Sequence, residues 1–172
     1  MNKNVKEVIS KQNLICYAII LVLVFFDLLT KSIVNANLQM GESTTILQNI
    51  LNFTNVHNKG GAYGIFSQDN ATFVLGLFSL IFVVVFLFVN SFVVKDKDKF
   101  YFIGFVLITA GTIGNMIDRF SLGFVRDFIQ VKFINFPVFN LADIFLVVGV
   151  ILLCLWFIIK MVKENRESSL NK

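Results

Sequence analysis

An all-α polytopic membrane protein, with four transmembrane helices and a short strand pair on one membrane face, is the fold class this sequence predicts. Three observations carry that reading. Of the 172 residues, 56% are hydrophobic and only 15% are charged, and mean hydropathy is +0.78. A soluble domain of this size carries more charge. The apolar residues fall in four runs separated by polar stretches, and the lysines and arginines collect at the ends of those runs. The length fits one domain, residues 1–172, with no separate soluble enzyme.

The chain opens on a polar head, with Lys3, Lys6 and Lys11, and then becomes apolar from Leu14 to Phe26. A basic head before an apolar run resembles a signal peptide. However, no small-residue cleavage site follows, and apolar character resumes at Ile33 and Val34. The reading is an uncleaved first transmembrane helix over about 13–35. Asp27 and Lys31 stand four apart, so they share one helix face with the acid N-terminal, the favourable order. A neutralising ion pair at the helix exit is preferred to direct catalysis.

Residues 36–69 are more polar. Loose alternation over Thr44–Leu47 and Asn52–Val56 predicts a short strand pair. Asn58-Lys59-Gly60-Gly61 is turn chemistry, and it lacks the spacing of a phosphate-binding loop. Residues 71–94 form a second apolar helix, long enough at about 1.5 Å per residue to cross a core of roughly 30 Å. A charged turn over 95–99 leads to a third helix over about 100–118. Gly104, Ile108, Gly111, Asn115 and Asp118 make one stripe on it, small residues first and polar residues last. Small residues let backbones approach, and polar ones face the bundle interior. Residues 121–137 read as a loop or partial strand with Arg126, Asp127 and the single proline, Pro137. The fourth helix covers about 139–160, with Asn140 as N-cap and Asp143 in the first turn, where the helix dipole favours an anion.

Charge sets the orientation. The N-terminus, the 95–99 turn and the tail after Lys160 hold most of the basic residues, so both termini are read as cytoplasmic. Residues 36–69 and 119–138 then lie outside, although the latter carries Arg119, Arg126 and Lys132. Asp27, Asp118, Asp127 and Asp143 fall at one depth, near the outer boundary. The net charge of +4 is read as this orientation signal rather than as a nucleic-acid footprint. Ionisable groups at membrane depth are expensive and are functional candidates by default.

Several chemistries are disfavoured. His57 is the only histidine and there is no HExxH, so a zinc hydrolase lacks its ligands. Cys16 and Cys154 sit in apolar segments as small hydrophobes. There is no GxSxG, and Ser121 has no lysine at a helical spacing. Two adjacent carboxylates, by contrast, share a proton, activate water and protonate a leaving amine, which is peptide hydrolysis. The alternative is a small proton-coupled transporter or channel subunit, but such a relay needs acids through the membrane. A structural scaffold needs no such convergence.

Five motifs in order then bear on identity: Asp27-x-x-Thr30-Lys31, Asn58-x-Gly60-x-Ala62-Tyr63, Gly114-Asn115-x-x-Asp118-Arg119, Asp127-Phe128-Ile129 and Phe139-Asn140-x-Ala142-Asp143. With the four-helix pattern, they make the chain resemble the bacterial lipoprotein signal peptidases (signal peptidase II). The resemblance implies a membrane aspartic endopeptidase acting on diacylglyceryl-modified prolipoproteins just before the lipid-bearing cysteine, and a small extracytoplasmic β cradle made from residues 36–69. It implies Asp127 and Asp143 as the catalytic dyad. Asn58, Gly60, Asn115, Asp118, Arg119 and Asn140 would bind substrate or order the site, with Asp27 and Lys31 in support. No metal or organic cofactor is implied. The expected partners are lipid-modified prolipoproteins and membrane lipids, with the protein acting as a monomer. The residues themselves leave three acids for two roles. Asp118 has Asn115 and Arg119 at hand for staying ionised, while Asp127 lies in the loop, free to approach Asp143. Leu28, Arg126 and Ile144 depart from the family pattern. The expected effects are a lowered Asp127 pKa if Arg126 points inward, and one hydrogen bond lost at Ile144.

Overall fold

A computed structural model describes residues 11–60, 71–93 and 98–170. The basic head, Ala62, Tyr63 and most of the charged turn lie outside the described residues. Four helices are long and apolar enough to cross a membrane. They are α1 (Lys11–Asn37), α2 (Ala71–Phe88), α3 (Lys99–Leu122) and α4 (Leu141–Leu170), with a π-helical turn over Val89–Val93 after α2.

Helix α3 is the axis of the bundle. In its apolar window 61% of residues are buried, against 28% or less in the other three. Its small residues explain why. A Cβ added at Gly104 would lie 3.0 Å from the Gly149 carbonyl of α4, and one added at Gly149 would lie 2.9 Å from the Ile108 nitrogen. The two backbones therefore touch along the predicted stripe, as close helix crossings require. On the other side, Cys16, Ile20 and Val24 of α1 pack with Tyr101, Phe105 and Ala110 of α3. Most remaining apolar side chains, such as Phe78, Ile81 and Val147, point outward, as lipid-facing residues do. Cys154 is among the outward ones, unlike the buried Cys16. Helix α4 is apolar nearly all round, so its sequence gives no signal for which side faces in.

A three-stranded antiparallel sheet caps one end of the bundle, in the order β1 (Ser43–Leu47), β2 (Leu51–Asn58), β3 (Val125–Val131). The hairpin turn places Asn49 at φ 60°, a conformation asparagine tolerates better than most residues. Strand β3 is the partial strand expected within 121–137. It pairs Phe53 with Ile129, Val56 with Asp127 and Asn58 with Val125, around a bulge between Phe53 and Val56. Val34 of α1, Phe128 and Ile129 form a second core with Phe53 and Phe139, tying the sheet to the helices. Helix α3 runs one turn beyond the expected end at 118. Gly123 stops it at φ 75°, its N–H donating to the Arg119 carbonyl. Helix α4 begins two residues later than expected, which leaves Phe139 to bridge to Ile129.

Candidate active site

The sheet, the last turns of α3 and the first turn of α4 meet around one cavity of about 490 Å³. Asn58, Asn115, Arg119, Asp127 and Asp143 line it, together with the apolar Phe136, Pro137, Leu146, Val147 and Val148. Amide groups and two acids thus share the cavity with an apolar lining.

Asp143 is fixed by its own helix start. The Asn140 side-chain oxygen accepts from the Asp143 N–H at 3.1 Å, and Asp143 Oδ2 accepts from the Asn140 N–H at 3.0 Å. This reciprocal cap satisfies two helix donors at once. Its second oxygen, Oδ1, accepts from Asn115 Nδ2 at 2.9 Å. Asp127 arrives on β3. Its Oδ1 accepts from Asn140 Nδ2 at 2.6 Å and its Oδ2 from Asn58 Nδ2 at 3.0 Å. Asn140 therefore bonds both acids. Gly60 contributes through its backbone: its N–H donates to Asn58 Oδ1 at 2.9 Å, which holds the Asn58 amide toward Asp127. Burial pushes the Asp127 carboxyl up to about 7, and the neighbouring Asp143 charge adds to the push against the two amides.

A charged layer lies directly beneath. Lys31 Nζ sits 2.8 Å from Asp27 Oδ2 and 3.8 Å from Asp118, and all three side chains are fully buried. The same ammonium donates to Asn115 Oδ1 at 2.8 Å. Asp27 Oδ1 accepts the Ala142 N–H at 2.9 Å, so an acid of the first helix caps the last one. A Cβ at Gly114 would run into the Asp27 carboxylate, so this motif position needs glycine for space. The Asp27–Lys31 pair forms as expected, but in the bundle interior and not at a helix exit.

Two expectations are corrected. Asp118 does not pair with Arg119. Consecutive helical residues point about 100° apart, and Asp118 turns inward to Lys31 and Arg126 while Arg119 lines the cavity. Nor does Arg126 point at Asp127. Neighbours on a strand face opposite sides, and Arg126 bonds Asp118 instead. The Asp127 carboxyl is accordingly raised, not lowered. Ile144 lines the cavity wall, and both Asp143 oxygens are bonded without it. Leu28 packs against the main core. Sequence reasoning missed the Lys31–Asn115 and Asp27–Ala142 bonds. Both span long separations, and no local spacing signals them.

Fold and site together define a multi-pass membrane protein with a hydrogen-bonded acid pair at one end of its helical bundle. Residues 19–159 match the family described as signal peptidase (SPase) II. The lipoprotein signal peptidase of Lactococcus lactis subsp. lactis (strain IL1403) is 41% identical over 142 residues, covering 83% of this chain and 92% of that protein. The lipoprotein signal peptidase of Lactiplantibacillus plantarum (strain ATCC BAA-793 / NCIMB 8826 / WCFS1) is 39% identical over 137 residues, covering 78% and 89%. A solved bacterial membrane enzyme, determined by the in meso method at 2.3 Å resolution, superposes with a TM-score of 0.74 at 32% identity, covering 87% of this chain and 88% of that one. The chain belongs to the signal peptidase II family, and is a protease by that membership. The transporter reading is not favoured.

Proposed function

We propose that the protein is an aspartic endopeptidase that removes the signal peptide from diacylglyceryl-modified prolipoproteins, cutting before the lipid-bearing cysteine. The observation that carries this is the pair Asp127 and Asp143, joined through Asn140 in a cavity with a largely apolar lining. Water held between the acids gives a proton to Asp143 as its oxygen attacks the scissile carbonyl carbon. Asp127 protonates the carbonyl oxygen, giving a tetrahedral intermediate. The C–N bond then breaks as Asp143 passes its proton to the leaving amine and Asp127 takes back a hydroxyl proton from the intermediate, which restores both acids. Asn58 and Arg119 hold the substrate. Arg119 Nε is buried with no hydrogen-bond partner among the described residues, so it has a donor to offer. The apolar lining takes the acyl chains. The chain works as one domain and as a monomer, since it supplies every group named here, with no cofactor and no nucleic acid.

The direct test is to incubate the purified protein with a diacylglyceryl prolipoprotein and with the unlipidated precursor. Mass spectrometry should find a mature product beginning at the lipidated cysteine from the first alone. No cleavage of the lipidated precursor would overturn the reading.

Asp127 sets an alkaline limit. It is the acid in this scheme and holds its proton only below about 7, so turnover should fall as pH rises through that value. The sign for stability is the same. A carboxyl raised from 3.8 to about 7 in the folded protein favours folding at low pH, and that contribution is lost as pH climbs to about 7. Turnover rising steadily from pH 6 to 9 would remove Asp127 from the acid role.

The site is assigned to the extracytoplasmic face of the bacterial cell (inner) membrane, with both termini cytoplasmic. A reporter after Lys172 or inserted at Asp96 should read cytoplasm, and one near Glu42 outside. An outside signal at Asp96 would reverse the arrangement.

A further inference from the structure

We propose that Arg126 is a positioning residue for both dyad acids, acting through Asp118 and never touching substrate. This rests on the reading of Asp127 and Asp143 as the dyad. The contact is unusually complete. Arg126 Nη2 donates to Asp118 Oδ1 at 2.6 Å and Nε donates to Asp118 Oδ2 at 3.1 Å. The Arg126 backbone N–H donates to that same Oδ2 at 3.0 Å, and Nη1 reaches Ser32 Oγ of α1 at 3.0 Å. The planar guanidinium matches the carboxylate two bonds at a time, which a lysine cannot do. Asp118 is fully buried and the Arg126 side chain is only 13% exposed.

Two consequences reach the dyad by separate routes. The first runs through the backbone. The Asp118 carboxylate grips the peptide nitrogen of the residue just before Asp127, so it fixes where β3 stands over α3. The Asp127 carboxyl is placed between Asn58 and Asn140 by that grip, and the guanidinium fork is what holds the Asp118 carboxylate in place to make it. The second runs through charge. Beneath the site lie two carboxylates, Asp27 and Asp118, and two cations, Lys31 and Arg126, all in contact. The layer is balanced. Take away Arg126 and two buried acids share the single ammonium of Lys31, a poor arrangement because an unpaired buried charge is costly. Asp118 then draws Lys31 toward itself and away from Asn115. Asn115 Oδ1 accepts from Lys31 Nζ at 2.8 Å and from Asn140 Nδ2 at 3.1 Å, and Asn115 Nδ2 donates to Asp143 Oδ1, so a displaced Lys31 releases the shorter of the two bonds that hold Asn115 Oδ1. Arg126 does not line the cavity, so its loss moves the acids without removing a substrate contact.

The test measures kcat and KM of purified full-length protein on a diacylglyceryl prolipoprotein, alongside thermal unfolding in detergent. Arg126→Leu should lower kcat on the order of 10²-fold, the effect of displacing catalytic groups by about 1 Å, and leave KM within about twofold. Arg126→Lys should fall between that variant and wild type, restoring charge without the fork. The decisive comparison is the pair Asp118→Asn and Asp118→Asn/Arg126→Leu. Asp118→Asn alone leaves Arg126 without its carboxylate; taking Arg126 away as well leaves Asp27 paired with Lys31, while an amide oxygen still accepts the backbone N–H. In that background Arg126→Leu should therefore cause no further loss of kcat, the non-additivity expected of groups acting as one unit. An undiminished loss there would overturn the inference, as would wild-type kcat in a folded Arg126→Leu protein. If Arg126→Leu does not fold, Arg126→Lys supplies the single-variant loss; wild-type kcat in that folded protein, or an undiminished loss on Arg126→Leu in the Asp118→Asn background, overturns the inference. Failure of wild type to cleave would count against the function itself. Cleavage by wild type with no response to Arg126 would count against this inference only.

Discussion

Replacing Asp127 or Asp143 by asparagine should abolish prolipoprotein cleavage while the protein still inserts, folds and binds its substrate. Asparagine keeps the shape and removes the titrating proton. The loss should be at least the roughly 10²–10⁴-fold associated with general acid–base groups. Both variants should remain folded. In each, an amide replaces a carboxylate that now accepts two hydrogen bonds, so one bond on each side is lost, at a cost of about 1 kcal/mol. The double variant should be little slower than either single one, because the acids act on one water as a unit. Cleavage and binding of a catalytically trapped substrate, measured on the same preparations, separate chemistry from affinity. Near-normal turnover by folded Asp127→Asn, with Asp118→Asn inactive, would mean that the wrong acid has been chosen. The geometry argues otherwise, because both oxygens of Asp118 are occupied by Arg126 and it lies outside the cavity.

The second large effect belongs to Asp27. Changing Asp27 to alanine should lower the amount of folded protein as well as its activity. The variant strands the Lys31 ammonium in the bundle interior and leaves the Ala142 N–H without its acceptor. Breaking a buried pair from one side costs about 3–5 kcal/mol, enough to consume much of a marginal stability. Replacing both partners together, Asp27→Leu with Lys31→Met, should return much of the folded protein, since apolar residues of similar size often serve as well as a buried pair. It should not return activity, because Asn115 loses the ammonium that orients it. Thermal unfolding with a cleavage assay on the same samples reads both quantities. Normal abundance of Asp27→Ala with activity abolished would move Asp27 into the chemistry.

The four helices were legible because their apolar runs are long, and the start of α4 because Asn140 and Asp143 carry a cap signature in adjacent turns of sequence. The i, i+4 spacing of Asp27 and Lys31 likewise announced their pairing. Strand β3 was legible only as a loop or partial strand, without its bounds or its partner. Arg126, Asp127 and Gln130 interrupt its apolar pattern, and its partner β2 lies far away in sequence. The error over Asp118 has the same root. Its neighbour Arg119 was the near cation in sequence, but the strand folds back to deliver Arg126 from eight residues away. Distances in the chain predicted pairs within a helix and failed wherever the sheet intervened. The dyad itself emerged from the family resemblance, since three acids competed for two roles on the residues alone.

The bond from Asp27 to the Ala142 N–H joins residues 115 positions apart. At roughly 5–20 residues per second of synthesis, the first helix waits on the order of ten seconds in the bilayer before its partner is made. During that interval Asp27 and Lys31 have each other, one turn apart on the same helix, so the nascent segment enters lipid without an isolated charge. The arrival of the fourth helix then presents the Ala142 amide to one oxygen of Asp27 and brings Asn140 and Asp143 to Asn115. The bonds that tie Asp143 to Asn115, and both acids to Asn140, thus form only after the fourth helix has been made.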